Sequence, residues 1–186
     1  MKTIVEVKGN KVYLDNGITI GLSNETIKKY DLRRRERLSD EEYQELVEIA
    51  ALSTSYYLLN KRDYSKKELF QKLLLKYREK KIIEKVISLL EEKGYLDDME
   101  YAKFYAKTHS YGRVKLQYNL RLKGIDRSII EEVLNENTED EIKELEKAWE
   151  KLKDKEPQKK IASLLRKGYK YSDIKKIMNK NKGDLC

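Results

Sequence analysis

Residues 62–77 read RDYSKKELFQKLLLKY, and residues 79–98 continue EKKIIEKVISLLEEKGYLDD. The first segment is a short basic helix with Leu69 and Leu73 on one face; the second is an isoleucine-rich helix, and a tight break parts them. The pair returns at 112–124 as GRVKLQYNLRLKG followed by IDRSIIEEVLNEN, and more faintly at 156–181 as EPQKKIASLLRKGYKYSDIKKIMNKN. With the breaks aligned at Tyr77, Gly124 and Gly168, Leu73, Leu120 and Leu164 stand four residues before them. Ile82, Ile129 and Ile174 stand five or six after. Breaks about 45 residues apart lie in the range of helical repeat arrays. The expected fold is mainly α: a tandem, elongated array of three three-helix repeats behind a small N-terminal antiparallel β element.

The punctuation fits this parse. Ile4, Val5 and Val7, then Val12–Leu14, then Ile18–Ile20 alternate with polar residues, and Asn16-Gly17 is a hairpin-turn signal. A short helix is expected from Asn24 to about Tyr30. Arg33, Arg34, Arg35 and Arg37 either bind phosphate or form a charged linker, and the linker reading is preferred. Ser39-x-x-Glu42 and Ser65-x-x-Glu68 are capping boxes. Asp97-x-x-Glu100, Thr138-x-x-Glu141 and Ser172 are read as further starts, and Pro157 as a first-turn proline. The long helix after Ser39 is expected to bury Leu46, Ile49, Ala50, Ser53 and Tyr57. Tyr101, Ala102, Phe104 and Tyr105 are the expected inward set after Asp97, and Ile161, Leu164 and Leu165 after Pro157. The boundaries are then 1–38 for the β meander, short helix and linker, and 39–96, 97–137 and 138–186 for the three repeats.

The chain has 186 residues, 40% charged, with a formal net charge of +8. Anionic partners come first for such a balance. The basic residues are segregated. Residues 61–85 hold 10 Lys and Arg against 4 acids, and the helix at 113–123 has Arg113, Lys115, Arg121 and Lys123 and no acid. Residues 155–186 hold 10 against 3, whereas 131–150 carry 9 acids and 2 lysines. An oriented basic surface would track phosphates without reading sequence. Ordinary solvated surface is the alternative, disfavoured because the basic runs recur with the repeat. The single cysteine, Cys186, cannot pair internally, which suggests a reducing compartment. The start lacks a signal-peptide core and no apolar run approaches a bilayer span, so a soluble, cytoplasmic protein is expected.

Catalytic constellations are absent. His109 is the only histidine, no cluster of metal-ligand spacing exists, and neither GxxxxGK[ST] nor GxGxxG occurs. Asp97-Asp98 is read as capping rather than as a carboxylate pair, because adjacent helical residues point apart. Tyr64, Tyr77, Tyr95, Tyr111 and Tyr118 lie beside basic residues; stacking on nucleic-acid bases is one reading and junction packing the preferred one. No enzyme and no cofactor are expected. A helix-turn-helix transcription factor, with Gly124 between its helices, is the alternative function. Ser128, Ile129, Ile130, Glu131 and Glu132 suit it poorly, because they offer a base or a phosphate little to bind.

Three runs carry a family resemblance: Ser65-x-x-Glu68-Leu69-x-x-x-Leu73, Gly94-Tyr95-Leu96-Asp97-Asp98-x-x-Tyr101-Ala102, and Gly112-x-x-x-Leu116-x-x-x-Leu120-x-x-Lys123-Gly124-Ile125. They span roughly 60–135 and resemble the RecX family of recombination regulators. LLRKGY at 164–169 agrees more loosely, and LDNGITIGLS at 14–23 resembles the N-terminal extension of Gram-positive members. The resemblance implies a curved array of three-helix repeats that binds the groove of the RecA recombinase filament on DNA. It implies modulation of ATP hydrolysis and strand exchange, with inhibition the expected sign, and a role in DNA repair and the SOS response. The expected partners are RecA and single- or double-stranded DNA, with the protein a monomer and no membrane involved. The family supplies no catalytic residues. From charge and repeat position, Lys66, Lys67, Lys72, Arg113, Lys115, Arg121, Lys123, Lys159, Lys160, Arg166 and Lys167 are the candidate contact residues.

Overall fold

Strand β1 (Lys2–Lys8) pairs antiparallel with β2 (Lys11–Leu14), which pairs with β3 (Thr19–Gly21). The β2–β3 turn closes as its sequence dictates: the Asn16 side chain accepts from the Ile18 N–H, and Gly17 adopts φ 77°. On the other side of β1 lies β4 (Arg37–Leu38), giving the order β3-β2-β1-β4. This fourth strand lies in the stretch expected to be a linker. Two of the four arginines there are architectural: Arg33 donates to the Gly9 carbonyl at 2.9 Å, and Arg35 makes two bonds, 2.6 and 2.7 Å, to Glu42, while Arg34 and Arg37 are exposed. Two residues of strand beside charged neighbours are too short a pattern to show in a sequence.

The computed structural model describes residues 1–183; residues 184–186, Cys186 among them, lie outside the described residues. Ten helices occur among the described residues: α1 (Asn24–Lys29), α2 (Asp40–Leu59), α3 (Lys66–Tyr77), α4 (Lys80–Glu92), α5 (Asp98–Thr108), α6 (Arg113–Leu122), α7 (Arg127–Glu136), α8 (Thr138–Glu150), α9 (Pro157–Arg166) and α10 (Tyr171–Gly183). None is long and apolar enough to cross a membrane. Both capping boxes form as read, at Ser39/Glu42 and Ser65/Glu68. Asp126 caps α7 and Gly94, at φ 73°, ends α4.

The chain divides into two compact units, 1–97 and 98–186. In the first, the sheet and helices α2–α4 share one core, from Val12, Ile20 and Leu38 through Leu46 and Ala50 to Leu69, Leu73, Ile83 and Leu90. A sheet this small needs such a partner. The second unit holds two cores. One joins α5–α7 through Ala102, Leu116, Leu120, Ile130 and Val133; the other joins α8–α10 through Leu145, Trp149, Leu164, Tyr169 and Ile174. The aligned leucines Leu73, Leu120 and Leu164 are all fully buried.

Several local expectations are corrected. The break aligned at Tyr77 falls one residue later: Tyr77 is helical and fully buried, its hydroxyl donating to the Ala50 carbonyl, and Arg78 takes the left-handed conformation at φ 58°. In the later repeats glycine takes that role at once, Gly124 at φ 80° and Gly168 at φ 89°. Ser53 and Tyr57 are exposed rather than inward, because α2 is covered by the sheet and by α3 and α4, and its buried sector swings to Tyr43, Val47, Ala51 and Ser55. Phe104 (56% exposed) and Leu165 (45%) also lie outward, each beyond the edge of a small three-helix core. Thr138 and Ser172 lie within the first turns of α8 and α10 and cap neither; the Thr138 hydroxyl donates back to the Leu134 and Asn135 carbonyls.

Candidate nucleic-acid interface

The second helix of each repeat carries the expected basic residues, and the structure sorts them. On α3, Lys66 is ion-paired to Glu91 at 2.8 Å, while Lys67 and Lys72 are exposed. On α6, Arg113 is half-buried with its guanidinium 3.5 Å from the Leu134 carbonyl, and Lys115 lies 4.3 Å over the Tyr111 ring. Lys123 covers both Tyr101 and Tyr105, and Arg121 is exposed. On α9, Lys159 pairs with Glu156 at 3.1 Å, Lys160 lies 4.8 Å over Trp149, and Arg166 and Lys167 are exposed. Lys67, Lys72, Arg121 and Lys167 thus point charge at solvent with no ion pair or side-chain hydrogen bond among the described residues. Such cations retain full capacity for phosphate, whereas those stacked on rings or paired with carboxylates must first give something up.

The tyrosines sort likewise. Tyr64 is buried beneath Arg62, Tyr77 is fully buried, and Tyr111 is half-buried under Lys115, so these three pack. Tyr95 and Tyr118 are exposed, at 55% and 61%. Tyr118 stands between Val114 and Leu122 as an exposed stripe with a four-residue period on α6. Its apolar members were invisible as surface because the same helix also buries Leu116 and Leu120.

The N-terminus of α6 shows what the acidic stretch does. Its cap residue, Gly112, has no side chain to offer. The missing acceptors come from the third repeat. The Gly112 N–H donates to the Lys167 carbonyl at 2.9 Å and the Val114 N–H to the Gly168 carbonyl at 3.1 Å; the Arg113 N–H donates to Glu141 at 2.7 Å. A carboxylate there also meets the positive end of the helix dipole. The approach is so close that a methyl group on Gly112 would overlap the Gly168 and Tyr169 backbone, and one on Gly168 would overlap Lys115. Burial, together with the charges of Glu144 and Glu141, pushes the Tyr169 hydroxyl up to about 12. Other acids of this stretch hold lysines, Glu136 with Lys103 and Glu146 with Lys180.

No group of His, Cys, Asp and Glu suited to a metal exists among the described residues. His109 stacks on Tyr105 at 3.9 Å, with its Nδ1 2.9 Å from the Tyr105 carbonyl. A cavity of about 290 Å³ beside it is lined by lysines and carboxylates together with His109, Ser110 and Tyr111, and among the described residues no hydrogen bond joins Ser110 to His109.

The model of the RecX second three-helix domain matches residues 97–134. Regulatory protein RecX of Clostridium tetani is 31% identical over 96% of this chain and 93% of the relative. That of Clostridium acetobutylicum is 30% identical over 95% and 94%. The crystal structure of RecX from Lactobacillus salivarius superposes with a TM-score of 0.66 at 25% identity, covering 75% of this chain and 98% of that one.

Proposed function

Because the chain belongs to the RecX family, we propose that it is a non-enzymatic regulator of homologous recombination and DNA repair, acting on the RecA recombinase. It binds in the groove of the RecA–DNA filament and modulates ATP hydrolysis and strand exchange, with inhibition the expected sign. The observation that carries this reading is the similarity to regulatory proteins along nearly the whole chain, β element and all three repeats included. The charge pattern supports it. The repeats, at 39–96, 97–137 and 138–186, each present a second helix with solvent-facing cations, suited to successive phosphates irrespective of sequence. The protein acts as a cytoplasmic monomer without cofactor.

A transcription-factor reading would place α7 in a groove. Its first turn is poorly equipped: Arg127 is paired with Glu131 at 2.6 Å, Ser128 is bonded to Asp126, and Ile130 is fully buried. The test is a titration of this protein into RecA assembled on single-stranded DNA, following ATP hydrolysis. A dose-dependent change at or below RecA stoichiometry is expected; a flat response across the titration would sink the proposal.

A further inference from the structure

In the first unit, a cleft of about 540 Å³ separates the N-terminal β element from the first repeat. One wall is Asn10 with Gly21–Ser23; the other brings Ser53, Thr54 and Tyr57 of α2 beside Lys72 and Lys76 of α3. No acidic residue lines it among the described residues. Lys76 is fixed in place by a directed chain of hydrogen bonds. The buried Tyr77 hydroxyl donates to the Ala50 carbonyl at 3.0 Å, so the 2.7 Å contact between Thr54 and Tyr77 must be donated by Thr54. The Thr54 oxygen is then left to accept from Lys76 Nζ at 3.2 Å. An ammonium has three donors, and this chain uses one. Lys76 is therefore a cation anchored beside the core, through Thr54 to the fully buried Tyr77 and with its Nζ 5.0 Å over that ring, at the cleft wall. Lys72 beside it has no ion pair among the described residues. Tyr57 is 60% exposed, with Lys61 4.2 Å over its ring, and a ring has a second face.

We propose that this cleft is a phosphate site for a single nucleic-acid strand. Lys72 and Lys76 contact consecutive phosphates, and Tyr57 stacks one base. One hydrogen-bonded and one solvent-facing cation, hydroxyl and amide groups and no carboxylate among the described lining residues suit a phosphodiester, and a ring that stacks needs an unpaired base, which a duplex does not offer. The β element then has a role, since its first turn, at Asn10, and the segment from the end of β3 to the cap of α1 supply the facing wall. The inference deepens the proposed nucleic-acid binding and rests on it.

The test is fluorescence anisotropy of a labelled oligodeoxythymidine with the full chain across a salt series. Lys72→Gln with Lys76→Gln should lower the magnitude of the logarithmic salt slope by about 1.4, two contacts at about 0.7 each. Lys80→Gln with Lys81→Gln, exposed on α4, removes equal charge outside the cleft and should leave the slope unchanged. Tyr57→Leu should keep the slope and weaken binding roughly 5- to 100-fold, and make no difference on an abasic strand. An unchanged slope in the cleft variant, or an equal fall in the control, would overturn the proposal. So would a fluorescent ATP analogue that binds the unsubstituted chain more tightly than the strand does, which would assign the cleft to free nucleotide. Salt slopes are read without RecA. A chain that modulates RecA but keeps its slope loses only the cleft, and a flat RecA titration leaves the slope as the cleft's own test.

Discussion

The two glycines at the joint between the second and third repeats do different work from a glycine that merely ends a helix. Gly94 has φ 73° but open space around its α-carbon. Gly168 has φ 89° and no room, because Lys115 stands where a side chain would go. Gly94→Ala should therefore cost about 1 kcal/mol, the conformational penalty alone. Gly168→Ala should cost clearly more, since the α6–α9 junction must also shift. Equal losses in chemical denaturation would show that the junction gives way freely. Both glycines stand out in the sequence as helix stops, but their unlike surroundings do not, because Lys115 lies 53 residues from Gly168.

At the scale of helices, two caps deserve separate tests because one is local and one is not. Glu42 takes two bonds from Arg35 and one from the Ser39 N–H, and these hold its carboxyl down to about 2, from an ordinary value of 4.5. A carboxyl lowered in the folded state stabilises fully above its unfolded value and loses that contribution as pH falls towards its folded one. Unfolding midpoints should accordingly decline between about 4.5 and about 2, and Glu42→Gln should flatten that part of the profile. An unaltered acid limb in the variant would mean the pair is not formed in solution. Glu141 reaches α6 from α8. Glu141→Gln keeps an acceptor but removes the charge at the dipole, and Glu141→Ala removes both, with an expected loss of about 1 kcal/mol. Amide exchange at Arg113 should quicken in the order native, Gln, Ala; unchanged exchange in the Ala variant would deny the cap. The Ser39 and Ser65 boxes were legible because cap and acid lie three residues apart. Thr138-x-x-Glu141 has the same spacing, yet both residues are redirected, Thr138 by local bonds back to the end of α7 and Glu141 by tertiary contact onto α6.

Across the molecule, binding depends on how many cations are free to meet phosphate. Lys67 of α3, Arg121 of α6 and Lys167, the C-cap of α9, are exposed and have no side-chain partner among the described residues. Changing all three to Gln should lower the single-strand salt slope by about 2, three contacts at about 0.7 each, with helicity unchanged. Arg113→Gln with Lys115→Gln is the contrast. These residues sit at the repeat joint, so their loss should register first in thermal stability. If that pair lowered the slope as much as the triple while leaving the melting temperature alone, the contact face would lie at the joint instead.

Three repeats, their second-helix leucines, two capping boxes, the hairpin turn and the recurrence of basic runs were all legible in the sequence. Each depends on residues near in sequence, through helical period, side-chain reach or permitted φ. The tertiary structure decided most of which lysines and arginines remain available. Eleven basic residues look alike in a string; packing lays Lys123 and Lys160 on rings and ties Lys66 to Glu91, local contacts engage Lys115 and Lys159, and Lys67, Lys72, Arg121 and Lys167 are left to solvent. The β4 strand, the shared core of sheet and first repeat, the anchored Lys76 and the Glu141 cap belong to the same class. Each joins residues whose separation along the chain gives no periodic signal, so they exist only once the hydrophobic cores have brought those residues together.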